Sequence, residues 1–134
     1  MIKVVLDTNV YISSIFWEGG NPHKIVEKAM DGKISVYISK QIVEELERVL
    51  RADFKEPEEA VQRQVNLIIR YARSVEPREK IPIVKEDPED NKIIECGVCC
   101  RAEYIITGDK HLLRLKEFRG IKIVSPKEFI DILS

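Results

Sequence analysis

Apolar residues recur along this chain with two periods, and the switches between them mark out the elements. Residues 2–6, "IKVVL", are an almost continuous apolar run, as expected of a central strand covered on both faces. Residues 8–17 and 22–31 read as two helices separated by "EGGN". "ISVYIS", 34–39, is a second strand, and Ser39 is placed to cap a helix running through residue 50. Residues 58–73 form a longer amphipathic helix with Val61, Val65, Ile68, Ile69 and Ala72 on one side. "IPIV", 81–84, is predicted as an edge strand, because Pro82 cannot donate to a ladder. A helix is predicted from 88 to about 101, a strand over 104–107 and a short helix over 109–116. Strand "IKIV", 121–124, and a helix from Pro126 complete the pattern. Strands alternating with helices predict an α/β fold with a central, mostly parallel sheet of about five strands flanked by helices.

Composition narrows the partners. With 44% hydrophobic and 34% charged residues over 134 positions, the expectation is one domain, 1–134, with a solid core under a charged surface. The net charge of -1 gives no global basic field, so a polyanion would be held by a local basic cluster or through bound cations. The start lacks the long apolar core of a signal peptide, and no apolar run approaches the ~20 residues of a membrane span. A cytoplasmic protein with no membrane contact is expected. Cys96, Cys99 and Cys100 fall within five positions, while His23 and His111 stand apart. That set suits neither zinc nor a disulfide framework, and is expected to be buried structural thiols on a helix.

The acids raise the chemical question. Ligands of open parallel sheets sit beyond the carboxyl ends of strands, where strand order switches. Asp7 follows the first strand directly, and Asp109 stands two residues past the strand ending at 107. If those strands are neighbours, the two carboxylates converge. Each also has a plain reading, Asp7 as a helix cap and Asp109 as turn and cap chemistry in "TGD". In the helix from Ser39, residues Ile42, Leu46, Val49 and Leu50 form the apolar stripe. Glu45 flanks that stripe and Glu44 points away from it, so Glu45 is either a boundary residue or one facing a cleft. Asp87 fits an N-cap and Pro88 the first helical position. Asp90 then serves either as a capping-box acid or, on the face of Ile93, Ile94 and Gly97, as part of a metal site.

Three segments taken in order, "VVLDTNV", "ISKQIVEELERVL" and "DPEDNKIIECGVCCRAEYIITGD", resemble the PIN-domain nucleases, a family that includes VapC-type toxin RNases. The resemblance spans essentially the whole chain and implies a three-layer PIN-like fold. It also implies a catalytic and metal-binding acidic set at Asp7, Glu45, Asp90 and Asp109. Asn9 and Thr107 match polar positions that would orient carboxylates. The implied activity is endonucleolytic cleavage of single-stranded RNA with Mg²⁺ or Mn²⁺, and Lys92, Lys110, His111 and Arg114 are candidates to hold the RNA backbone. The implied setting is the toxin half of a toxin–antitoxin pair, with a cognate antitoxin as partner and a homodimer as the assembly. Where family members often carry a further acid, this chain has Lys110 and His111. Two rivals remain. A phosphatase-like enzyme with Asp7 as nucleophile lacks the second acid it needs, since position 9 is Asn. A non-catalytic PIN domain acting as an RNA-binding or assembly module has no need of four acids.

Overall fold

A computed structural model describes residues 1–134. Strand β1 (Lys3–Leu6) leads into α1 (Thr8–Phe16) and α2 (Asn21–Met30), then β2 (Ser35–Ser39) and α3 (Lys40–Ala52). Helix α4 (Glu58–Tyr71) runs directly into β3 (Ala72–Val75). After a long extended stretch, a 3-10 turn at Pro88–Asp90 opens α5 (Asn91–Cys100). Then come β4 (Tyr104–Ile106), α6 (Lys110–Leu113), β5 (Glu117–Phe118), β6 (Ile121–Val124) and α7 (Pro126–Leu133). The six strands lie in the order β3-β2-β1-β4-β6-β5, all parallel except the short β5. This is an α/β fold with a mostly parallel sheet flanked by seven helices.

The topology places the functional edge. The chain builds β1, β2 and β3 outward in one direction, then returns to add β4 on the other side of β1. Order therefore reverses between β1 and β4, the crevice where parallel sheets bind ligands. Val5 pairs with Ile105 and Leu6 with Ile106, and the Asp7 amide donates to the Ile106 carbonyl at 2.9 Å. Beneath the crevice lies a continuous core that includes Val4, Val5, Leu6, Val36, Ile38, Ile93, Ile94, Ile105 and Ile106. Helix α5 lies across β1 to β4. It comes so close to β4 that a Cβ at Gly97 would stand 3.0 Å from Ile105 Cδ1, so any larger residue there requires the Ile105 side chain to give way.

Several expected elements differ. Residues 81–84 are not a strand: the Ile81 and Val84 amides donate to the side chains of Glu95 and Asn91 at 2.9 and 2.7 Å. Side chains of α5 thus replace the ladder while Ile81 and Val84 stay buried. The missing strand is β3, which begins where α4 stops, so Ala72 belongs to the sheet and the exposed Ile69 lies off the helix's buried stripe. With β5 added, the sheet has six strands rather than five. The helix expected from 88 begins with a 3-10 turn. Among the cysteines, Cys96 and Cys100 are buried but Cys99 is exposed, because its place on α5 turns it outward against the Glu76 carbonyl.

Candidate functional site

At the switch point the acids meet in a cleft of about 440 Å³, lined by Asp7, Glu45, Asp87, Asp90 and Asp109 among others. They come from four features of the chain, with Asp87 and Asp90 sharing the turn into α5. Asp7 ends β1 and occupies the N-cap position of α1, but its carboxylate makes no capping hydrogen bond. It instead accepts from the Thr107 hydroxyl at 2.6 Å and from the Asn9 amide at 3.4 Å. Asn9 also accepts from the Gly108 amide, and the Asp109 amide donates to Thr107 Oγ at 2.9 Å. The "DTN" and "TGD" segments are therefore laced together across the crevice. Burial pushes the Asp7 carboxyl up to about 6 despite the Thr107 bond, with the charges of Glu45 and Asp109 adding to the rise.

Asp109 fills two positions at once. One oxygen caps α6 by accepting from the His111 amide at 2.6 Å, and the residue also lines the cleft. Asp87 likewise accepts from the Glu89 amide at 3.2 Å while facing the cleft. Asp90 makes no cap at all. Its side chain is buried, and Oδ2 has no hydrogen-bond partner. Burial first, then the charges of Asp7, Asp109 and Asp87, push its carboxyl up to about 8. Ligand oxygens of Asp87, Asp90 and Asp109 all lie within 4.8 Å of one another, so these three could hold a metal ion.

Glu45 stands on the other wall. It accepts a hydrogen bond from the Thr8 hydroxyl and is paired with Lys92 at 3.2 Å and Arg48 at 3.5 Å, whereas Glu44 is exposed. Lys92 is mostly buried and shared between Glu45 and Glu89, so its ammonium faces carboxylates rather than open solvent. Lys110 and Arg114 are exposed, Arg114 lies 4.0 Å from Glu86, and neither lines the cleft. His111 is half-buried with Nδ1 unpartnered. The structure thus brings Asp7, Glu45, Asp90, Asp109, Asn9 and Thr107 together, and adds Asp87, which the sequence reading assigned only to capping. Its signal was present: three acids in four positions before an apolar helix exceed what one cap requires.

The family model of the PIN domain matches residues 3–111, which carry every one of these groups. The chain belongs to the PIN-domain family. An uncharacterised protein of Methanocaldococcus jannaschii, MJ1680, is 30% identical over 142 aligned residues, covering 97% of this chain and 90% of the relative. The fold is similar to that in the crystal structure of VapBC2 from Rickettsia felis bound to a DNA fragment from their promoter. There the TM-score is 0.66 at 14% identity, over 92% of this chain and 98% of the other. It is also similar to PAE2754 from Pyrobaculum aerophilum, with a TM-score of 0.61 at 13% identity over 98% and 89% of the two chains. No helix of this PIN domain is long and apolar enough to cross a membrane.

Proposed function

We propose that this PIN domain, spanning 1–134, is a divalent-metal-dependent endoribonuclease acting on single-stranded RNA in the cytoplasm. The observation that carries the reading is the unpartnered, buried Asp90 Oδ2 among four other carboxylates. A buried carboxylate oxygen without a hydrogen bond is costly, and several acids together repel unless a cation is present. An all-oxygen donor set suits Mg²⁺ or Mn²⁺ rather than a soft metal. Asp87, Asp90 and Asp109 would hold the ion, with Asp7 and Glu45 completing the acidic wall. Bound there, it would lower the pKa of a water and offset charge growing on a scissile phosphate.

The chain's own residues do the positioning. Thr107 and Asn9 fix one Asp7 oxygen at the edge of the cleft. The His111 amide fixes Asp109 in the same way. Thr8 and Lys92 hold Glu45 against the opposite wall. Lys110, His111 and Arg114, which follow Asp109 in the chain, would meet the RNA backbone. No serine–histidine or cysteine–histidine pair is needed, and neither histidine lines the cleft. The physiological reading is the toxin half of a toxin–antitoxin pair acting as a homodimer, supported by family membership and by a fold shared with VapBC2.

The test is cleavage of an unstructured RNA in Mg²⁺ or Mn²⁺, with arrest in excess EDTA as the expected result. Undiminished cleavage in EDTA rejects the metal mechanism, and RNA binding without cleavage in any divalent ion would leave a binding module. Growth arrest on expression, relieved by a neighbouring small reading frame, would support the toxin setting.

A further inference from the structure

The acidic cleft has an apolar side that the metal chemistry does not use. Helix α1 ends at Phe16, and the next residue, Trp17, reaches the cleft with 59% of its surface exposed. Phe54, just after α3, is 38% exposed and stacks on Phe16 with ring centroids 4.6 Å apart and planes 12° apart. Trp17 meets Phe16 edge-on, at 6.3 Å and 77°. Phe16 packs in turn against the core, so the indole stands on a buttressed support rather than on a free loop. A large aromatic left in water is unexplained by packing, and such patches mark binding surfaces. Trp17 and Phe54 share a single cleft with the carboxylates.

We propose that Trp17, buttressed by Phe16 and Phe54, is the stacking platform for one nucleobase of a single-stranded RNA whose phosphate lies over the acids. This rests on the nuclease reading above and names how its substrate is held. The cleft carries no lysine or arginine, only carboxylates, small polar groups and this apolar side. An acidic peptide segment could offer the cation a carboxylate but leaves the exposed indole without a planar partner. A nucleotide fits both halves, since its base is an uncharged π-face and its phosphate is drawn by the cation the acids hold. Stacking of this kind tolerates any base but requires one, so the platform positions the strand without reading its sequence.

Trp17 is the chain's only tryptophan, so it reports on itself. The experiment measures single-turnover cleavage by wild type, Trp17→Ala and Trp17→Phe in Mg²⁺, using short unstructured RNAs with one abasic nucleotide walked along the strand. Alongside it runs a titration of wild-type tryptophan fluorescence with the intact RNA. Trp17→Ala should raise the RNA concentration for half-maximal rate by roughly 10- to 100-fold, with the saturated rate within about threefold of wild type. Trp17→Phe should retain most of the affinity. One abasic position should weaken wild type to the same degree and leave Trp17→Ala no worse, while intact RNA quenches the fluorescence. Wild-type affinity in a folded Trp17→Ala, or equal sensitivity of both proteins to the abasic position, overturns the proposal. So does a change confined to oligomeric state, which would make the rim a protein contact. Quenching without cleavage would sink the nuclease reading and keep the platform, cleavage without quenching would do the reverse, and neither signal would sink both.

Discussion

Asp7 and Asp90 face one cleft from different corners of the fold, and both are nearly buried, at 5% and 9% exposure. Their surroundings differ. Asp7 is held at the β1–α1 corner by the Thr107 hydroxyl and the Asn9 amide, and its carboxyl rises to about 6. Asp90, at the turn into α5, has an oxygen with no partner and rises to about 8. Similar burial with unequal hydrogen bonding separates a carboxylate held by two protein donors from one with an oxygen left open to a ligand. The β1–α1 corner is the rigid half of the site, and the turn into α5 is the half that a cation would complete.

The largest effect should come from that second half. Asp90→Asn removes a central ligand charge and should lower single-turnover cleavage by roughly 10³-fold, about 4 kcal/mol of transition-state energy. The same change should raise the melting temperature of the metal-free protein, because it relieves repulsion among buried carboxylates. A variant that lost activity and also melted lower would make Asp90 a structural residue and erase the contrast with Asp7.

On the opposite wall, Glu45 and Glu44 are neighbours with different surroundings. Glu45→Gln breaks the pairing with Lys92 and Arg48 and dilutes the acidic wall, and should cost roughly 10²-fold in rate at saturating Mg²⁺. Glu44 is exposed, so Glu44→Gln should leave cleavage near wild type and stability within ~0.5 kcal/mol. Equal rates for the two variants, both shown to be folded by thermal melts, would remove Glu45 from the site.

The two corners should also separate by pH. A carboxyl raised in the folded state holds its proton there while the unfolded chain has released it, so the folded form binds more protons and stability falls as pH rises. For Asp7 the fall runs from its ordinary 3.8 to about 6, and for Asp90 from 3.8 to about 8. Between pH 6 and 8 only Asp90 should contribute, at no more than about 1.4 kcal/mol per pH unit. At roughly 3–6 °C per kcal/mol for a domain of this size, the metal-free protein should lose several degrees of Tm over that range. Asp90→Asn should flatten it, Asp7→Asn should remove the fall below pH 6 and, by taking away a charge that raises Asp90, shift the remaining fall to lower pH, and Mn²⁺ should flatten both. Melts of metal-free Asp90→Asn that still slope between pH 6 and 8 would assign the titration elsewhere.

Much of this candidate site's convergence was readable before the fold, for identifiable reasons. An apolar run ending in Asp7 and a second one ending in "TGD" announce two strand ends, and a parallel sheet does the rest. Glu45 was separable from Glu44 because helical projection turns a one-residue shift into a 100° rotation. Strand β3 was hidden because its sequence, Ala-Arg-Ser-Val, continues the phase of the helix before it and fully buries only Ala72. The reverse error fell on "IPIV", where alternation looked like a strand but Glu95 and Asn91 take the amides. Asp87 is harder to read, because capping accounts for one of the three acids in 87–90 without saying which, and its nearness to Asp109 exists only in three dimensions. Trp17 gave no signal, since its exposure depends on where α1 stops relative to the cleft.

The smallest effect concerns Asp87, the acid with two explanations. Its Oδ1 accepts from the Glu89 amide, while the carboxylate also lies in the group that could hold a metal ion. Asparagine keeps an acceptor at the same place and removes the charge, whereas alanine removes both. If capping is its only work, Asp87→Asn should match wild type and Asp87→Ala should lose about 1 kcal/mol of stability. If it also supplies charge to a cation, Asp87→Asn should melt like wild type yet bind Mn²⁺ roughly tenfold more weakly, with cleavage at saturating metal within about threefold. That second pattern is the expected one, because Asp87 is among the charges that raise Asp90 and is half-exposed rather than buried. Metal affinity read by calorimetry on both variants decides it: unchanged affinity in Asp87→Asn would return Asp87 to capping alone and leave Asp90 and Asp109 as the pair nearest the ion.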